Sequence, residues 1–248
     1  MRRAPRITRR FLGVLLGLAG VLLAAHWPVT TRYSVNYQRY RASISLYEKL
    51  TNFYSRHLQT RRLVRAVTSG VTGDDEKLLT IFSWVQEHVR PTPPGFPVVD
   101  DHVWNIFVRG YGAEDQRTEA FTILASYAGF PAASVDLDVP DARGRLRLYL
   151  GVVQCQGRTR VFDINHQIAF RNERGALASV DDLLRNPALV TQAAPGLTLH
   201  GVAYERYVAR LGQEDIQFSR MGNQRPWFRL RSELMRLVDG RPSRDGAR

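Results

Sequence analysis

The sequence contains a single cysteine and no low-complexity segment. Cys155 is the only cysteine among 248 residues, which excludes an internal disulfide framework and any cysteine-based zinc or iron–sulfur site. Hydrophobic residues make up 44% and charged residues 23% of the chain, which excludes a disordered or collagen-like protein. We therefore expect one or two folded domains, with no metal site and no cofactor.

Lysine is also scarce, although the chain is basic. The formal net charge is +12, and 33 of the 35 basic residues are arginine, because Lys49 and Lys77 are the only lysines. Five arginines lie within the first ten residues, which leaves a net charge of +7 for the rest. No RNP motif, helix-turn-helix or basic stripe accompanies this charge, so we expect a solvated basic surface and no specific nucleic-acid partner.

An uncharged apolar segment follows the basic N-terminus. Residues 11–25 carry no charge, and extending the segment to residue 29 gives nineteen residues, about 28 Å as a helix. Basic residues before an apolar segment are typical of an insertion signal. Cleavage after Ala24 or Ala25 would place a leucine at position −3, so we favour a retained anchor over a cleaved signal peptide. Residues 1–29 are thus predicted to be a single transmembrane helix of the cytoplasmic membrane, with the remaining chain on the extracytoplasmic (periplasmic) side.

Along the rest of the chain, the sequence pattern changes from helical to extended. Apolar residues recur every three or four positions in its first part, and β-type segments follow a helix rich in alanine. One amphipathic helix or a helix pair is predicted over residues 37–67. Further helices are predicted over 72–89, 114–128, 180–184 and 227–238, and strands over 133–139, 146–154 and 159–163. A turn at Gln156-Gly157 joins the last two strands. The pattern predicts an α+β fold in which helices pack on an antiparallel sheet.

One motif and its spacing point to a family. Gly110-Tyr-Gly112-Ala-Glu114-Asp-Gln116 leads into a helix that ends in Gly129-Phe-Pro-Ala-Ala, and strands then lead to Gly157-Arg-Thr-Arg-Val-Phe-Asp163. Residues 70–170 resemble the transglutaminase-like domain of the papain-like thiol enzymes. The resemblance implies a papain/transglutaminase-like core over 70–170, after an anchor (1–29) and a helical segment (30–69), and before a C-terminal extension (171–248).

The family's chemistry needs three groups. A cysteine at a helix N-terminus has a lowered thiol pKa, a strand histidine takes its proton, and an aspartate orients the histidine. The family pattern places these groups at Glu114, Leu148 and Asp163 of this sequence. Since the nucleophile and the base are both replaced, the resemblance implies a catalytically inactive member.

Such a domain can keep its groove as a binding surface. Tyr111, Trp104 and Gln116 are the candidate binding residues, although the two aromatic residues are equally typical of packing beside a turn. We therefore expect a binding or scaffold module at the cell envelope, with an envelope protein or polysaccharide as its partner. A chaperone-like role in assembling envelope polymers, through the basic helices at both ends, is a further alternative.

The competing hypothesis is an enzyme with a non-standard site. A peptidase, amidase or acyl-transfer enzyme could use Glu114, Asp163 and His166, whereas Glu114 could simply stabilise a helix start. Cys155 is expected to be a small half-buried residue at a strand end, away from any helix N-terminus. Residues 100–102, Asp-Asp-His, are interpreted as a loop rather than a metal site, with His102 at the surface or the edge of the core.

Overall fold

The computed structural model describes residues 6–35, 38–97, 99, 102–138 and 147–218, together with single residues at 227, 231 and 235. Apart from these three positions, the helix predicted over 227–238 lies outside the described residues. The described part is a mixed α/β structure in which helices pack on both faces of an antiparallel sheet. This confirms the predicted combination of helices with an antiparallel sheet.

The N-terminal part contains a hairpin between two helices. Helix α1 (Arg6–Ala25) precedes the antiparallel strands β1 (Pro28–Val35) and β2 (Gln38–Ser45), and helix α2 spans Leu46–Val67. The prediction of a helix from residue 37 was therefore wrong for residues 38–45. The Ser45 side chain accepts a hydrogen bond from Glu48 N, so it caps the first turn and sets the start of α2.

Helix α1 covers most of the segment that is predicted to be a membrane anchor. Within the residues that the structure describes, no helix combines the length and the apolar character needed to cross a membrane. The transmembrane helix predicted over 1–29 is therefore not supported by the structure.

The central sheet is a meander of four strands. They are β5 (Ala132–Asp138), β6 (Arg147–Cys155), β7 (Arg158–Asp163) and β8 (Ile168–Ala169), paired in that order. Gln156 and Gly157 have φ values of 52° and 73°, the positive angles that a tight two-residue hairpin turn requires. The turn between β6 and β7 is thus the one that the sequence predicts.

One face of the sheet carries the longer helices. They are α3 (Asp74–His88), α4 (Val103–Arg109) and α5 (Glu114–Tyr127), and the short parallel strands β3 (Arg90–Pro91) and β4 (Tyr111–Gly112) pair between them. Phe121 of α5 packs on Phe82 and Phe162, with ring centroids 6.1 and 4.8 Å away. Helix α5 crosses Gly151 so closely that a Cβ there would lie 2.7 Å from Phe121 Cδ1. This contact identifies the face of β6 that α5 covers.

The other face is covered by short C-terminal elements. They are α6 (Val180–Arg185), α7 (Ala188–Ala193), β9 (Thr198–Leu199), β10 (Val202–Ala203), α8 (Tyr204–Val208) and a 3-10 turn (Ala209–Gln213). Tyr204 and Tyr207 are fully buried there with Leu148 and Leu150. The sequence predicted only one short helix in residues 170–200, so most of this layer was missed.

The buried residues of helix α2 lie in its C-terminal half. Thr60 and Val64 are buried, and His57 Nδ1 lies 2.9 Å from the hydroxyl of Tyr127. The sequence pattern indicates a helix with one apolar side, and four residues of that pattern are exposed instead (Tyr47, Leu50, Tyr54 and Leu58).

Candidate functional site

The candidate site lies where helix α5 begins. Glu114 is the first residue of α5 and is exposed. Gln116 is buried, and its Oε1 accepts hydrogen bonds from Ala113 N at 3.1 Å and from Arg109 at 2.6 Å. Its amide Nε2 donates to Val99 O. Gln116, predicted to bind a ligand, therefore uses its side chain to hold the first turn of α5 against the preceding loop.

Asp163, the predicted orienting carboxylate, is completely buried at the end of β7. Its Oδ1 accepts hydrogen bonds from the backbone N–H groups of Asn165 and His166, each at 2.9 Å. Its Oδ2 accepts a 2.6 Å hydrogen bond from the Tyr204 hydroxyl and lies 2.8 Å from His166 Nδ1. A buried carboxylate with this many donors is held in a fixed position.

His166 is the imidazole that this carboxylate orients. Because a carboxylate can only accept, the hydrogen-bond network assigns the proton of His166 to Nδ1 and leaves Nε2 for solvent or a ligand. The hydrogen bond to Asp163 raises the pKa of His166, and partial burial of the ring opposes the rise. The charge of Glu114 raises the same pKa further, so Glu114 acts electrostatically on this imidazole.

Asn165 joins the two halves of the site. Its Nδ2 donates to Glu114 O at 3.1 Å and to Thr118 Oγ1 at 3.3 Å, and its Oδ1 accepts from Arg117 at 3.1 Å. Arg117 also donates to Val89 O at 2.9 Å. The residues after β7 are thus attached to the first turn of α5, and the structure brings Glu114, Asp163 and His166 together.

Arg117 is a buried cation within this cluster. Only 4% of the residue is exposed, and burial lowers its guanidinium pKa while the charges of Asp163 and Glu114 oppose that shift. The two carboxylates therefore offset part of the desolvation cost of the arginine. The sequence reasoning did not identify Arg117, Asn165 or Tyr204. A signal for the first two was their position, because Arg117 follows Gln116 of the first motif and Asn165 lies two residues after Asp163, which ends the last one.

Leu148, the position of the family's histidine, lies elsewhere. It is 2% exposed and belongs to the core on the face of the sheet opposite α5, with Tyr204 and Tyr207. Side chains alternate along a strand, so Gly151, which contacts α5, and Leu148 point to opposite faces. The structure does not bring Leu148 to Glu114.

Cys155 lies at the end of β6, as the sequence predicts, but it is buried rather than half-buried. It is also not away from every helix N-terminus, because its Sγ lies 3.6 Å from Asp75 Oδ1 in the first turn of α3. Burial and the neighbouring carboxylate of Asp75 raise the pKa of the thiol to about 11. It lies six positions after Tyr149, whose carbonyl oxygen lies beside Thr118 of α5, so about 20 Å of strand separates the thiol from the site.

The remaining predicted residues have structural contacts. The Trp104 ring lies edge-on to Phe107, with centroids 6.1 Å apart, and the Tyr111 ring packs similarly on Phe96 at 5.7 Å. His102 Nδ1 accepts a hydrogen bond from Trp104 N and caps α4. Asp100 and Asp101 lie outside the described residues, and among the described residues no group of three His, Cys, Asp or Glu side chains could hold a metal ion.

A shallow groove opens beside the imidazole. It has a volume of about 460 Å³ and is lined by His166, Ile168 and residues 193–197. The groove is mostly apolar, and His166 is its only titratable side chain among the described residues. A ligand in this groove would meet one oriented imidazole at the edge of an apolar surface.

Comparisons with known proteins add little to this geometry. The chain matches no protein-family model and no curated protein sequence. A crystal structure of a proposed protease from Parabacteroides distasonis matches it with a TM-score of 0.37 and 11% sequence identity. The match covers 52% of this chain and 29% of that protein, and similarity at this level does not establish a shared fold.

Proposed function

We propose that the chain carries a degenerate transglutaminase-like domain that binds a ligand at the start of α5 and performs no thiol chemistry. The observation that carries the proposal is the placement of its one cysteine thiol. Cys155 is 3% exposed, its thiol has a pKa of about 11, and Glu114 occupies the first position of α5. A thiol that is buried and protonated is a poor nucleophile.

The binding surface that we propose includes Glu114 and His166. Glu114 is exposed, and His166 lines the apolar groove. We further propose that the domain acts at the cell envelope, on the extracytoplasmic side of the membrane, with an envelope protein or a polysaccharide as its partner. The apolar segment of α1 (residues 11–25) supports this placement, because basic residues precede it and its side chains are exposed.

A second candidate function is hydrolysis or acyl transfer by general acid–base chemistry. It is favoured by one observation, the fixed contact between a buried carboxylate and a partly exposed imidazole, Asp163 and His166. In this role Asp163 would orient His166, and Nε2 of His166 would take a proton from water or a substrate hydroxyl. Glu114 would stabilise the imidazolium that forms.

Two assays on the purified full chain separate the candidates. The chain is first incubated with a peptide vinyl sulfone, which traps reactive thiols, and with a panel of amide and ester substrates. The binding proposal predicts no adduct and no hydrolysis. Hydrolysis that His166→Gln removes and Cys155→Ser retains would establish the second candidate instead, and an adduct lost in Cys155→Ser would overturn both.

Binding itself is tested on an array of envelope polysaccharides and with periplasmic protein extracts. Glu114→Arg should abolish binding of any retained ligand, because it reverses an exposed charge at the start of α5. Since the Glu114 charge also stabilises buried Arg117, circular dichroism must first show that the variant is folded. Asp138→Arg is the matched control, since Asp138 is exposed at the end of β5. Equal binding by wild type and both variants would contradict the proposed surface.

A further inference from the structure

The first half of helix α2 presents an apolar surface to solvent. Tyr47, Leu50, Tyr54 and Leu58 are 63%, 49%, 52% and 48% exposed, and they are spaced three, four and four residues apart. This spacing places them on one face of the helix. We call these four residues the α2 stripe. Contiguous apolar surfaces of this kind mark interaction sites in soluble domains.

The α2 stripe is not the face that holds α2 to the domain. The residues with that role are His57, Thr60 and Val64. His57 contacts Tyr127 of the domain, and Thr60 and Val64 are buried. At about 100° per residue, these three residues lie on a neighbouring face of the helix. The stripe is therefore available to a partner while α2 stays attached to the domain.

Two arginines continue the row of the α2 stripe toward the C-terminal end of the helix. Arg61 and Arg65 follow Leu58 by three and seven residues, so they lie on the same face, and both are exposed. Antiparallel pairing of two copies of α2 would place these arginines against apolar residues of the stripe. Parallel pairing would place arginine against arginine, so a second copy of this chain is a poor partner for the surface.

Other exposed residues adjoin the start of α2. Leu46 N donates to Trp27 O at 2.9 Å, and Lys49 Nζ donates to Thr30 O at 2.8 Å. These bonds hold the β1–β2 hairpin against the helix, and they place Trp27, which is 67% exposed, near the stripe. Tryptophan and tyrosine favour the membrane–water interface, and arginine binds lipid phosphates.

We propose that the α2 stripe lies on an anionic phospholipid surface. Tyr47, Leu50, Tyr54 and Leu58 enter the boundary between headgroups and acyl chains, and Arg61 and Arg65 contact phosphates at the other end of the same face. This arrangement is that of an amphipathic helix lying in the plane of the interface. The inference concerns a different surface from the proposed ligand site and does not depend on it.

Site-specific fluorescence on the full chain tests the proposal. In a Cys155→Ser background, Tyr54→Cys on the stripe and Asn52→Cys on the far side of α2 are labelled with an environment-sensitive dye. The probe is a vesicle of phosphatidylcholine and phosphatidylglycerol with brominated acyl chains. We expect the dye at position 54 to shift to the blue and to be quenched about threefold more than the dye at position 52.

The control at position 52 separates stripe contact from any attachment of the chain through the apolar helix α1, which would bring both dyes near the vesicle. Equal quenching at the two positions would overturn the proposal. So would a blue shift at position 54 without vesicles, accompanied by sedimentation at twice the monomer mass, since a second copy would then cover the stripe. Leu50→Glu combined with Leu58→Glu should remove the difference between the two dyes while helical circular dichroism persists.

Discussion

His166 Nδ1 lies 2.8 Å from Oδ2 of the fully buried Asp163. The carboxylate fixes both the position and the tautomer of the ring, and Asn165 attaches the same residues to the start of α5. The site thus contains an oriented base without a neighbouring thiol, since the chain's one cysteine, Cys155, contacts Asp75 instead. This relationship leads to tests of stability, packing and reactivity.

The first prediction concerns pH and His166. Its pKa in the folded chain is raised above the ordinary value of 6.5, so the folded state binds a proton more tightly than the unfolded state does. At pH values below 6.5 the contact stabilises the folded state fully. This stabilisation is lost as the pH rises through the pKa of His166 in the folded chain. The free energy of unfolding of the wild type, measured with urea in mild detergent, should therefore contain a contribution that decreases from about pH 6 to about pH 8.

His166→Gln is the comparison for this measurement, because it removes the titrating ring while other titrations remain. The difference in unfolding free energy between wild type and variant should shrink as pH rises. Glu114, Asp163 and Arg117 are the charged groups that act on the ring. A difference that stays constant or grows with pH would contradict the assigned contact.

The second prediction concerns Tyr204, whose hydroxyl donates to Asp163 at 2.6 Å inside the core. Tyr204→Phe removes one donor from a buried carboxylate, which should cost about 1.5–3 kcal/mol of unfolding free energy. Tyr207→Phe is the matched control, because Tyr207 is equally buried on α8 and its hydroxyl makes only a 3.4 Å contact with Leu199 O. Equal losses in the two variants, measured by denaturant unfolding, would argue against a special role for the Asp163 contact.

The third prediction concerns the contact between α5 and β6. A Cβ at Gly151 would lie 2.7 Å from Phe121 Cδ1, so Gly151→Ala should destabilise the chain by about 1–3 kcal/mol. Phe121→Leu removes the clashing ring atoms, and the two substitutions together should cost less than the sum of their separate effects. Additive losses in a double-mutant cycle would place α5 on another part of the sheet.

The sequence predicted the centre of the fold well because local signals and tertiary packing agree there. Helix α5 was predicted from its small and apolar residues between two glycine-containing turns, and the β6–β7 hairpin from Gln156-Gly157. The sequence pattern predicts a helix over residues 38–45, because Ile44 also fits the helical spacing of the following segment. Their alternation of Tyr40, Ala42 and Ile44 with polar residues is the strand signal that could have identified β2.

The candidate site was predictable only in part. Counting along the sequence placed the family's base at Leu148, and a count cannot decide which face of a strand a side chain occupies, because a shift of one residue reverses it. His166 and Asn165 reach the site through a turn after β7, where Gln167 has a φ of 61°. The contacts of Asn165 with α5 join residues about fifty positions apart in the chain, so no local pattern predicts them.

We have proposed that Glu114 occupies the nucleophile position of a transglutaminase-like site. The most direct measurement is the pH dependence of thiol alkylation in Glu114→Cys, compared with Asp115→Cys and with the wild type. This assignment predicts that the new thiol at the start of α5, beside His166, reacts about tenfold faster at neutral pH than the thiol of Asp115→Cys, with a lowered pKa, while the wild type stays unlabelled at Cys155. An unperturbed or raised thiol pKa in Glu114→Cys, or rapid labelling of Cys155 in the folded wild type, would contradict it.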